Sequence, residues 1–69
     1  MTGEEIRLAR LALGMSITEF GESIGFKGEA GTISRKIRRI EADQETLHPA
    51  KIETVRQLLA DMRSPGVDG

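Results

Sequence analysis

Apolar residues in this chain recur three or four positions apart in four separate segments, and no segment alternates apolar with polar residues as a half-buried strand would. That periodicity predicts an all-α fold. The first segment opens with Glu4 and Glu5, suited to the positive end of a helix dipole, and continues with Ile6, Ala9 and Leu13 on one line. It predicts a helix over 4–13 that stops at Gly14. Ser16 and Glu19 have the spacing of a capping box ahead of Ile17, Phe20 and Ile24, which predicts a second helix ending near Ile24, before Gly25. Gly25, Gly28 and Gly31 mark a loop of five or six residues. Thr32 or Ser34 then suits the cap of a third helix carrying Ile33, Ile37 and Ile40 and ending near Ala42. The stretch from Asp43 to His48 is polar and turn-like. Pro49 suits the first position of a fourth helix, on which Ile52, Val55, Leu59 and Met62 repeat. The expected domain is 1–62, with 63–69 as a flexible tail.

Composition narrows the function. A chain of 69 residues, 38% apolar and 30% charged, has room for one core. It has no cysteine and a single histidine, His48, which excludes a disulfide scaffold, a cysteine nucleophile and any ordinary zinc or haem site. No cofactor or metal is expected, and no constellation of acid, histidine and nucleophile suggests an enzyme. His48, before Pro49, reads as a loop residue, and Met15 as core or interface filler. No apolar run approaches the length that spans a bilayer, and no basic-then-apolar N-terminal segment is present, so a cytoplasmic protein is expected. Phe20 and Phe26 are the only aromatics, which argues against reading single strands by stacking. So small a core gives marginal stability that pairing would help, and Leu58 and Met62, at one edge of the fourth helix's apolar line, are candidates for a homodimer seam.

The net charge of -1 conceals a segregated distribution. Residues 27–39 hold Lys27, Arg35, Lys36, Arg38 and Arg39 against Glu29 alone, a local +4 that leaves the remainder at -5. An anionic partner meets the local field of one face rather than the sum. With Ile33 at zero on a helical wheel, the core line of the third helix centres at about 20° and its outward direction lies at about 200°. Arg35 falls at about 200°, Arg38 at about 140°, Arg39 at about 240° and Thr32 at about 260°. Lys36, at about 300°, lies on the flank. Arginine's planar fork matches guanine O6 and N7, whereas a solvated face has no need of three arginines that repel one another.

Arg10, Gly14-Met15-Ser16, Phe20-Gly21, Ile24-Gly25-Phe26 and Ile37-Arg38-Arg39-Ile40-Glu41 are similar in type and order to positions of the Cro/CI (XRE) helix-turn-helix domains of phage and bacterial repressors. The resemblance covers residues 4 to about 62. It implies a compact domain of four helices, or five, of the lambda-repressor-like type, and a structural ion pair between Arg10 and Glu41. Gly21 takes the small-residue place where the two helices of the motif approach closely. The chain departs from the family in two places. Ile17 stands where the family usually has a DNA-supporting glutamine, and the interval from Gly25 to Ile37 is about six residues longer than the usual pattern. The added residues either lengthen the third helix at its N-terminus or form a loop in which Lys27 meets the phosphate backbone.

The expectation is a sequence-specific transcriptional repressor that binds an inverted-repeat operator in double-stranded DNA as a homodimer, without a small-molecule effector. Arg35, Arg38 and Arg39 would read base edges or adjacent phosphates with Thr32 and Ser34 in support, while Lys27, Lys36 and the Gly28 amide would contact the backbone. Autoregulation follows only by analogy with small phage repressors. The spacing of Gly25, Gly28 and Gly31 lacks the Gly-Lys-Ser/Thr ending of a nucleotide loop. The competing reading is a small protein-binding module, an antitoxin or inhibitor, that offers the same arginine face to an acidic partner.

Overall fold

The computed structural model describes residues 1–63, which form four helices: α1 (Gly3–Leu13), α2 (Ile17–Ser23), α3 (Ala30–Glu41) and α4 (Pro49–Arg63). The domain is compact and all-α, with no strand among the described residues. The expected tail lies outside the described residues except for Arg63, which ends α4. No described helix is long and apolar enough to cross a membrane.

Local chemistry sets most helix boundaries. Thr2 and Glu5 close a reciprocal capping box at the start of α1, the Thr2 Oγ1 accepting from the Glu5 amide at 3.1 Å and Glu5 Oε1 from the Thr2 amide at 2.9 Å. Ser16 and Glu19 do the same for α2. At the other ends, α1, α2 and α3 close with one pattern of paired backbone bonds. The Met15, Phe26 and Gln44 amides reach back five residues to the Arg10, Gly21 and Arg39 carbonyls, while Gly14, Gly25 and Asp43 donate to Leu11, Glu22 and Ile40. The residue at the reversal is left-handed in each case, at φ 71° for Gly14, 105° for Gly25 and 61° for Asp43. In α4, Pro49 takes the first position and His48 Nδ1 accepts from the Ala50 amide at 3.1 Å.

The start of α3 differs from the sequence-based expectation. Glu29 is the cap residue, without a side-chain bond, and its carbonyl already accepts from the Thr32 and Ile33 amides at 3.0 Å. Thr32 and Ser34 are therefore inside the helix, and Gly31 belongs to its first turn rather than to the loop. The long interval before Ile37 is thus taken up largely by extending the helix at its N-terminus.

Ile6, Ala9, Phe20, Ile24, Ile33, Ile37, Ile40, Leu47 and Val55 form the core, and Phe20, Ile37 and Val55 are fully enclosed. Leu47 sits in a stretch that reads as polar turn in the sequence, yet it inserts between the helices. Leu13, Met15, Ile17, Phe26, Ile52, Leu58 and Leu59 pack around this core partly buried. α3 packs against α1 and α2, and α4 against α1. Two contacts leave no space for a side chain: a Cβ on Gly21 would overlap Ile33 Cγ2, and one on Gly3 would run into the backbone of Ile40 and Glu41.

Candidate nucleic-acid interface

The third helix is held on three sides before its outward face is considered. Ile33, Ile37 and Ile40 bury its inner line, and the glycine approach at Gly21 brings α2 against its N-terminal half. At the C-terminal end, Arg10 of α1 donates from Nε to Glu41 Oε2 at 2.8 Å and from Nη2 to Oε1 at 3.3 Å. Its Nη1 donates to the Met15 carbonyl at 3.3 Å, so one guanidinium joins α1, the α1–α2 connection and α3. Both partners are nearly buried, with side-chain exposures of 13% and 10%. Asp43 Oδ1 adds a fourth tie, accepting from the Gly3 amide at 2.8 Å. A helix fixed in this way presents its remaining side chains from a rigid base.

That outward face carries Thr32, Arg35, Arg38 and Arg39, all exposed, with Gly31 and Ala42 as its small residues. Ser34 is half-buried, at about 100° on the wheel, nearer the core line than the arginines. Lys27 and Gly28 are exposed in the connection between α2 and α3. Phe26 is half-buried in the same connection, anchored to the core, with Lys51 Nζ 4.7 Å from its ring centroid. Lys51 also donates to the Ile24 carbonyl at 3.4 Å, tying α4 to the end of α2.

The cationic stripe is divided by a residue absent from the sequence-based site. Glu45, in the connection after α3, folds back so that Oε2 pairs with the Lys36 ammonium and Oε1 lies 3.5 Å from Arg39 Nε. The hydrogen bond from Lys36 holds the Glu45 carboxyl below its ordinary range; partial burial opposes this, and the charges of Lys36 and Arg39 reinforce it. Among the described residues, Arg35 and Arg38 enter no ion pair. The face therefore has two free guanidiniums and a second pair of cations sharing one carboxylate. No sequence period marks Glu45, because its approach depends on the left-handed turn at Asp43.

Of the expected dimer residues, Met62 is 43% exposed and Leu58 is partly buried against the core. Leu8 and Leu11, off the buried line of α1, are more exposed than either, at 52% and 51%. Among the described residues, no three His, Asp or Glu side chains gather as a metal site. No family model, characterised protein or solved structure matches the chain.

Proposed function

We propose that the chain is a sequence-specific double-stranded DNA-binding regulator of transcription, a repressor of the Cro/CI (XRE) helix-turn-helix type. In this reading α2 and α3 are the motif and α3 enters the major groove. The observation that carries it is the combination within one helix: an all-isoleucine inner line, buried and clamped, opposite three exposed arginines. A B-DNA major groove is wide enough for an α-helix, and guanidinium forks on its outward side match both guanine edges and phosphates. Arg35, Arg38 and Arg39 read bases, Thr32 supports them, and Lys27 and the Gly28 amide face the backbone, while Lys36 is engaged by Glu45. The chain works as a homodimer on an inverted repeat, with half-sites one helical turn, about 10 bp, apart.

The test is titration of the protein against duplexes selected from random DNA and against scrambled duplex, over a range of salt. Counterion release makes affinity fall steeply with salt. Arg35→Ala is expected to lose about 1–3 kcal/mol on the selected site and to relax one base preference. Equal, weak binding to both duplexes, with a flat salt response, would overturn the proposal in favour of an acidic protein partner for the same face.

A further inference from the structure

Lys36 and Arg39 lie on the same flank of α3, at about 300° and 240° on the wheel, and Glu45 closes that flank from outside the helix. The two cations are engaged differently. Lys36 meets Glu45 through its only charged group, whereas the Arg39 nitrogen nearest the carboxylate is Nε, at 3.5 Å, and among the described residues no hydrogen bond occupies its Nη nitrogens. A lysine ammonium is a point charge on a flexible stem that serves any phosphate equally, while an arginine fork discriminates when its plane is fixed. One carboxylate thus removes a non-selective charge and orients a selective one. Its side chain is only 23% exposed, so it is held in place by its surroundings.

Resting on the reading of α3 as the DNA-reading helix, we infer that Glu45 is a specificity-determining residue that exchanges general affinity for discrimination between DNA sequences. With Glu45 in place, scrambled duplex gains little from Lys36, and Arg39 meets a base edge already aimed. Without it, both cations swing to the nearest phosphates, and the gain is shared by every sequence.

Glu45→Gln keeps the shape and removes the charge. Measured on selected and scrambled duplexes across salt, this variant is expected to bind scrambled DNA several-fold tighter, and the ratio of selected to scrambled affinity is expected to fall several-fold. The slope of log affinity against log salt on scrambled duplex should steepen by about 0.9 for each cation released to phosphate. Lys36→Met separates the two effects: it should leave the slope unchanged in the wild type and reduce it in the Glu45→Gln background. An equal rise on both duplexes would overturn the inference by reducing Glu45 to a charge mask, and so would unchanged affinities. In either case, wild-type binding that is sensitive to Arg35→Ala would leave the DNA reading standing. Absence of duplex binding by the wild type would remove both.

Discussion

Arg10 and Glu41 matter to this fold as a pair more than as separate charges. Their attraction mainly repays the cost of taking both from water, so removing one partner is far worse than removing both. Arg10→Met would leave the Glu41 carboxylate, 10% exposed, without a cation, at a cost of about 3 kcal/mol. Whole domains are stable by only about 5–15 kcal/mol, and a domain this small belongs at the lower end. Arg10→Met combined with Glu41→Leu should recover much of the loss; chemical denaturation that finds the double variant less stable than the single one would contradict this account. Glu45 behaves differently because it is more exposed and its contribution depends on pH. Its carboxyl, facing Lys36 and Arg39, is held below its ordinary value of 4.5 in the folded chain. The stability it adds is therefore fully present above that value and is lost as pH falls through the lower folded one. Glu45→Gln should be less stable than the wild type at about pH 6, and the difference should close towards about pH 3. A difference that persists in acid would show that the carboxylate acts through packing and not through charge.

The helices owe their placement to a few backbone positions, and glycine has opposite meanings at two of them. At Gly21 an added Cβ would overlap Ile33 Cγ2 and lie 3.1 Å from Ile37 Cγ1, so Gly21→Ala must push α2 from α3 or force the isoleucines off their rotamers. Overpacking of this kind costs about 1–3 kcal/mol. At Gly31, in the first turn of α3, a Cβ meets open space, and Gly31→Ala should stabilise the domain by about 0.4–1 kcal/mol by restricting the unfolded chain. The same methyl faces outward at about 160° on the wheel, so the proposed DNA reading also requires weaker duplex binding from this more stable variant. Thermal unfolding paired with DNA titration separates the two effects, and a Gly31→Ala protein that gains stability with no loss of affinity would place the groove elsewhere on the helix. These positions also show what could be read from the chain beforehand. The four helices, the α2 capping box, the stops at Gly14 and Gly25 and the isoleucine line of α3 each have a local chemical signal, and all are present. The start of α3 had none, because Glu29 is an uncommon cap and Gly31 looks like loop. The burial of Leu47 and the return of Glu45 depend on the direction in which the chain leaves Asp43. That residue adopts a left-handed turn usually given to glycine or asparagine, and its side chain is tied to the Gly3 amide at 2.8 Å. Such a tie spans 40 positions and leaves no periodicity in the sequence.

At the scale of the whole molecule, an exposed cationic helix is one pole and the apolar surface left uncovered is the other consideration. A chain of 69 residues encloses a small core, and Leu8, Leu11 and Met62 remain substantially exposed while Leu58 packs partly against it. The proposed inverted-repeat operator needs two copies, and these apolar surfaces are the candidates to carry the pairing. Met62 and the outer line of α1 can be separated by charge. Met62→Lys puts an ammonium at an exposed position near the end of α4, and Leu8→Lys with Leu11→Lys does the same on α1; none of the three side chains belongs to the buried core. If α4 forms the seam, Met62→Lys should shift the sedimenting species from two chains to one and leave the α1 variant paired. Operator affinity should fall with it, because each half-site then binds alone and the benefit of linking two contacts is lost. The α1 variant breaking the pair while Met62→Lys leaves it intact would move the seam to Leu8 and Leu11. A wild type that sediments as one chain both free and on its selected duplex would rule out a dimeric repressor and reduce the expected protection to a single half-site.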